Sequence, residues 1–460
     1  MKKDKYQLDL CSGSILWKMA VFVFPLLCTY ELQSLFNAAD MAIVGKFASH
    51  QALAAIGATL NPITLMLKIF IGLATGANAV IALYRGADNH LKFHHATHTA
   101  MSISMYGGLV MTAAALLCAK PLLVLMNTPA DILPDACIYI WIYFLGIPFL
   151  MVFNFGCAIL RSVGDSRRPM YFLLAAGLLN LFLNLLLVVW LKLSVAGVAV
   201  ATTVSNALAA GLILRTLILS TDRYCHVNLK KLKIDWQLLK EILWIGIPAG
   251  VSSSFFNVAN MFIQASLNTF GSLAIAGSAA TVSVESFCSI AISGFQQAAM
   301  TFVAQNYGAK LLPRTARCCV TGLLFAGGAA LVMGWGLLLA GRPILYLFTS
   351  DPEVVRWGLL RMQVMLSSFF LCALMDISVG CLRGLGYSVL PTCASLVGAC
   401  FLRIFWVVAV FPHHRTVPFL FSCYPVSWIL VFSFNLIALY VVLRKIFRRE
   451  TGSAKLAMSP

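Results

Sequence analysis

Charge is what this sequence has least of. Lys, Arg, Asp and Glu together make up 11% of 460 residues, apolar types make up 60%, and the mean hydropathy is +0.89. A water-soluble domain needs far more charged surface than this, so a soluble fold is excluded. Alternating segments of about ten residues, the mark of a membrane barrel, are lacking too. There is no Walker A, no G-x-S-x-G and no HExxH motif, so neither ATP hydrolysis nor a familiar hydrolytic site is supported. The 14 cysteines include no CxxC and one adjacent pair, Cys318-Cys319. Free cysteine behaves as a small hydrophobe, and neither a disulfide framework nor a zinc site is implied. His94-His95-x-x-His98 has metal-like spacing but no cysteine or acid beside it. It reads as a solvated polar loop, as does His413-His414.

What the chain does have is long apolar runs. A membrane-crossing helix needs about 20 mostly apolar residues, and twelve such runs are centred near residues 27, 66, 106, 147, 180, 206, 254, 291, 328, 368, 400 and 431. The net charge of +17 could suggest nucleic acid, but its placement follows topology. With the N-terminus inside, 24 Lys/Arg fall at cytoplasmic ends, 7 in outer loops (Arg361 among them), and Lys68 and Arg403 within spans, which accounts for all 33. That bias places both termini in the cytoplasm of a plasma-membrane protein and leaves no call for a nucleic-acid partner. The flank Met1-Lys2-Lys3-Asp4-Lys5 precedes a run without a small-residue cleavage site, so no removable signal peptide is expected. A monomer with lipid and small-molecule partners is expected.

The chain repeats itself. Phe36-Asn37-Ala38-Ala39-Asp40 is echoed by Phe256-Asn257-Val258-Ala259-Asn260, and Gly57 by Gly277, 220 residues on. Gly86-Ala87 pairs with Gly308-Ala309, and Leu160-Arg161-Ser162-Val163-Gly164 through Pro169 with Leu382-Arg383-Gly384-Leu385-Gly386 through Pro391, at an offset of 222. An even number of spans in each half returns the chain to its starting side. The expected architecture is therefore an all-α polytopic membrane protein of twelve helices in two six-helix lobes, parallel copies with the substrate path between them. The lobes are residues 1–225 and 226–460, joined by a polar segment from Thr221 to about Lys240 that carries Lys230, Lys231 and Lys233. Gly86, Gly164, Gly308 and Gly386 are expected in tight turns, and Arg161 and Arg383 as snorkelling anchors at the inner interface.

Only Glu31, Asp40, Glu285 and Asp376 are acids within spans. Ionisable groups at such depth are expensive and mark ion or substrate pathways. Asn37 lies three residues before Asp40 on one helix face. Asn180 and Asn184, at i and i+4, form a polar face on the fifth span, and Asn154 and Thr202 complete a candidate cluster in the first lobe. Amide pairs also serve as interhelical glue, and that reading stays open. Asp40 among neutral oxygens could carry a proton or hold Na⁺. In the second lobe Asn257, Asn260 and Gln264 form a stripe, with Glu285 and Asp376 as its acids; these are candidates for substrate contact or a second cation. Pro25 and Pro248 interrupt their helices, as hinges or as static kinks. No resident cofactor or metal is implied beyond H⁺ or Na⁺ as a coupling ion.

Pro25 with Asn37 and Asp40, Leu160 through Ser166, Val195-Ala196-Gly197 with Ala201-Thr202, Glu285-Ser286, Gln305 through Ala309 and Tyr424 through Trp428 resemble the multidrug and toxic compound extrusion (MATE) transporters. The resemblance runs from Ile15 to Arg444. It implies two six-helix lobes and exchange of amphipathic or cationic drugs for H⁺ or Na⁺, with no enzymatic step. The cation-site positions it implies are Asp40, Asn154, Asn180, Asn184 and Thr202. Many relatives carry Asp where this chain has Asn184, and the acid of another branch's site appears here as Asn257. A lipid-linked sugar flippase is the alternative within the same architecture; it should carry several buried arginines for a pyrophosphate, and only Lys68 and Arg403 are candidates. A membrane-embedded lipid transferase would need catalytic His/Asp or Asp-rich motifs, which the short cytoplasmic loops lack.

Overall fold

The computed structural model describes residues 6–220, 224–228 and 232–457. Lys230 and Lys231 of the connecting segment, and the Met1–Lys5 flank, lie outside them. In hydrocarbon every backbone N–H and C=O must be satisfied within the chain, so apolar runs of this length become helices. The first half comprises α1 (Ile15–Phe47), α2 (His50–Gly86), α3 (His90–Leu125), α4 (Leu133–Leu145), α5 (Ile147–Ser162), α6 (Arg167–Trp190) and α7 (Ser194–Leu219). The second comprises α8 (Trp236–Asn268), α9 (Ser272–Gly308), α10 (Leu312–Leu339), α11 (Gly341–Tyr346), α12 (Pro352–Ser367), α13 (Phe369–Gly384), α14 (Val389–His413), α15 (Val417–Phe421) and α16 (Cys423–Ala457). Ten helices are long and apolar enough to cross a membrane. The pairs α4–α5 and α12–α13, each bent by 44°, supply two broken spans, giving the expected twelve among the described residues.

The break between α4 and α5 has a local cause. Pro148 has no N–H to give, which frees the carbonyl of Phe144 four residues back; Thr112 Oγ1 donates to it at 2.6 Å. The Ile142 carbonyl is taken by Thr203 Oγ1 at 3.1 Å. Hydroxyls on neighbouring helices thus satisfy what the bend exposes, as a membrane interior requires. The matching break at Ser368 falls 222 residues on. Left-handed backbone repeats at the same spacing, in Gly164 and Gly386 (φ +89° and +88°) and in Asp88 and Lys310 (φ 52° and 56°). The turns expected at Gly86 and Gly308 therefore pivot two residues later, because those glycines still belong to α2 and α9.

Contacts divide the chain into two compact units, one of Val21–Ile247 with the segment ending at Asp9, the other from Pro248 onward with Leu10–Ala20. The expected division at 225/226 is a division of chain order; by packing, the boundary falls inside α8, at Pro248. The first turns of α8 stay with the first unit because Gly76 on α2 lies against them: a Cβ there would stand 2.5 Å from the Ile242 carbonyl oxygen. Further corrections concern polar groups. His94, His95 and His98 sit on the first turns of α3, not in a loop. Asn89 caps that helix by accepting from the Lys92 N–H at 3.1 Å. Arg361, placed above in an outer loop, is a buried residue of α12. Arg383 is also buried rather than snorkelling.

Candidate functional site

In the first unit α1 and α6 meet closely. Phe36 and Asp40, four residues apart, share a face of α1, and Gly177, Asn180 and Asn184 share a face of α6. The absence of a side chain at Gly177 lets the Phe36 ring lie directly over the α6 backbone; an added Cβ would fall 1.8 Å from Cε2 of that ring. This contact sets the amides against the acid. Asn184 Nδ2 donates to Asp40 Oδ1 at 2.5 Å and to Asn180 Oδ1 at 3.1 Å. Asn180 is 6% exposed and Asn184 fully buried, whereas Asp40 is half-buried. The buried Oδ1 of Asn184 has no hydrogen-bond partner among the described residues. The Asp40 carboxylate and the Asn180 amide oxygen thus meet at the Asn184 amide, oxygen ligands of the kind suited to a hard cation or a proton. Immediately after Asn184 the helix widens into a π-helical stretch, Leu185–Trp190, a distortion common at functional sites.

Not every expected partner joins this group. Asn154 Nδ2 donates to the Leu150 carbonyl on its own helix at 2.9 Å, and Thr202 Oγ1 to Val198 at 3.0 Å. Asn37 is exposed. Two tyrosines that sequence reasoning passed over are near instead. Tyr139 and Tyr143 on α4 lie within electrostatic reach of the Asp40 carboxylate, their rings stacked with centroids 5.8 Å apart. Their i, i+4 spacing was the available signal, masked by the apolar run around it.

The second unit arranges its polar groups differently. Glu285 makes a two-pronged ion pair with Arg361, at 2.9 Å to Nε and 2.7 Å to Nη2, and Arg361 Nη1 also donates to Ser278 Oγ at 2.5 Å. Glu285 is thus spent as the anion of a buried pair rather than standing as a free acid. Asp376, half-buried on α13, lies within electrostatic reach of Arg383 and Arg403. The stripe on α8 does not close into a cluster: Asn257 is exposed, Asn260 Oδ1 accepts from the Tyr424 hydroxyl at 3.0 Å, and Gln264 donates to Asn268 at 3.0 Å. Pro25 lies inside α1 and Pro248 inside α8.

The MatE family model matches residues 25–186 and again 248–408, one match in each half and together well over half the chain. The chain belongs to the MatE family. Among curated relatives of this MatE protein are the probable multidrug resistance protein YoeA of Bacillus subtilis, 25% identical over 83% of this chain and 84% of its own length, and the multidrug export protein MepA of Staphylococcus haemolyticus, 24% identical over 84% of each. Among solved structures, the outward-facing conformation of a multidrug resistance MATE family transporter of the MOP superfamily superposes with a TM-score of 0.88 over 96% of this chain and 100% of that one, at 20% identity, which shows a common fold. The protein is a multi-pass membrane transporter, and the transferase reading is set aside on family membership.

Proposed function

We propose that this transporter exports amphipathic, cationic compounds in exchange for H⁺ or Na⁺, with Asp40 as the coupling group. The observation that carries the reading is the bonded row Asp40–Asn184–Asn180 inside the first unit. A cation entering there meets a carboxylate and neutral oxygens and replaces hydrogen bonds that hold α1 to α6. For exchange to be driven, cation and cargo must favour different conformations, because a ligand that binds two states equally shifts nothing. Pro25, fifteen residues before Asp40 in the same helix, is where α1 can bend, and Pro248 is the matching point in α8. The names of the relatives, multidrug export and multidrug resistance proteins, support the cargo class. The positive-inside bias supports a plasma-membrane protein with cytoplasmic termini.

The test is dye efflux from liposomes holding the purified protein, with pH and sodium gradients imposed separately. Wild type is expected to respond to one gradient, and Asp40→Asn to lose the response while keeping its melting midpoint and elution profile. Full gradient-driven efflux by Asp40→Asn would remove Asp40 from the mechanism. The flippase reading gains Arg361 and Arg383 as buried cations, but Arg361 is committed to Glu285, which leaves it short of the several free guanidiniums that a pyrophosphate cradle needs.

A further inference from the structure

The second unit contains three buried arginines, Arg361, Arg383 and Arg403, against two acids, Glu285 and Asp376. Arg361 and Glu285 neutralise each other. Asp376 is left to balance both Arg383 and Arg403, so this interior holds one guanidinium charge too many. Arg403 is 3% exposed. Its plane lies 4.2 Å from the centre of the Tyr424 ring and 5.7 Å from that of Phe256. Its Nε donates to Ser427 Oγ at 3.1 Å. Tyr424 in turn donates to Asn260, which is exposed on α8 beside Phe256 and Asn257. The helix around Arg403 is π-helical on both sides, at Leu396–Phe401 and Trp406–Val410, the second stretch matching the one that follows Asn184.

The internal repeat gives this arrangement a meaning. Asn260 occupies the place of Asp40, and Arg403, at the offset of 222, occupies the place of Leu181, one residue past Asn180. The same helix junction thus carries an acid and amides in the first unit, and an amide and a guanidinium in the second. The backbone does not require a cation at this point, since its counterpart accommodates leucine. A buried charge is costly to keep without a counter-charge, and in a membrane it marks a pathway. We infer that the Arg403–Tyr424–Asn260 group is an anion-recognition site, taking the carboxylate or phosphate of an amphipathic substrate while Phe256 and Tyr424 cover its apolar part. The inference rests on the export reading and narrows its cargo to zwitterions, amphipathic cations that also carry a carboxylate or phosphate. Guanidinium is the group suited to such oxoanions, through two parallel N–H donors.

Rhodamine B, which carries a free carboxylate, and its ethyl ester, which does not, form a matched pair of probes. Their equilibrium binding to the purified full-length protein is read by fluorescence polarisation with no gradient present, so the result does not depend on whether Asp40 drives transport. Wild type is expected to bind the acid roughly tenfold more tightly than the ester, the scale of a charge-assisted hydrogen bond. Arg403→Gln should abolish the preference by weakening the acid alone, and Arg403→Lys should restore part of it. Asn260→Asp, at an exposed position that leaves Arg403 in place, should weaken the acid in the same way through repulsion and guards against a misfolded Arg403 variant. Equal binding of the two dyes by wild type, binding of neither, or equal losses for both in Asn260→Asp would overturn the assignment.

Discussion

Placing one methyl group at Gly177 tests whether the seating of α1 on α6 sustains coupling. The alanine Cβ would stand 1.8 Å from Phe36 Cε2 and 2.2 Å from two further ring carbons. Non-bonded carbons settle about 3.5 Å apart or more, so the ring must retreat by roughly 1.7 Å. The Asp40–Asn184 bond starts at 2.5 Å and leaves hydrogen-bonding range after roughly 1 Å of stretching. Phe36 and Asp40 share a helix face, so a shift of α1 large enough to clear the methyl group exceeds the slack in the bond. Overpacking of this sort costs about 1–3 kcal/mol, and loss of a hydrogen bond to a charged group costs about 1.5–3 kcal/mol. Gly177→Ala is therefore expected to lower gradient-driven dye efflux from liposomes by roughly tenfold. Adding Phe36→Ala, which removes the obstructing ring, should recover much of the loss. The interaction is read as a double-mutant cycle with Phe36→Ala alone as the fourth corner. Wild-type efflux by Gly177→Ala would refute the claim that this contact positions the acid.

The Glu285–Arg361 pair should behave as a structural element. Glu285→Gln strands a buried guanidinium and is expected to destabilise by about 3–5 kcal/mol, whereas Glu285→Leu with Arg361→Met should regain most of it. Melting in detergent measures both, and a stable double variant that no longer exports dye would show that the pair takes part in transport. At the start of α8, the N–H groups of Leu238 and Gln237, with His95 between them in weight, hold the Asp235 carboxyl below the usual carboxylate range. A group whose folded value is depressed stabilises fully above its unfolded value, about 3.9, and loses that stabilisation as pH falls through the folded value. Amide protection at Gln237 and Leu238 should accordingly drop in wild type below about pH 4, and Asp235→Asn should flatten that dependence; a variant with the wild-type profile would refute it.

Twelve spans, the sixfold halves and the row Asp40–Asn180–Asn184 were legible because each is written in local order: apolar length, recurrence at a fixed offset, and i, i+4 spacing on a helix. What was not legible depended on partners far along the chain. Nothing near Arg361 announces that Glu285, 76 residues away, neutralises it, so by hydropathy it read as a loop residue. Asn154 and Thr202 looked like members of the site because polar side chains on the fourth and sixth spans could complete a cluster, and the resemblance implied the same positions. Their side chains turn back to carbonyls on their own helices, a choice that sequence spacing does not record. The bend at Gly146 could not be read from Pro148 alone, since a proline early in a helix needs no bend. Here the bend depends on Thr112 and Thr203 waiting on other helices.

The repeat also separates what the fold needs from what function needs. Positions where the halves agree in backbone, the breaks at Gly146 and Ser368 or the left-handed Asp88 and Lys310, hold whatever side chain is present and belong to the architecture. Positions where the backbone agrees but the chemistry differs are the informative ones: Asp40 against Asn260, Asn154 against Asp376, Leu181 against Arg403. If these polar groups served only to bind helices together, amides would do so in both halves without burying charge. Each half instead keeps charge that its counterpart shows to be dispensable for folding, negative at the α1–α6 junction and positive at the α8–α14 junction. Retained at that cost, the two signs accord with the two proposals made above, a coupling cation in the first unit and an anionic group of the cargo in the second.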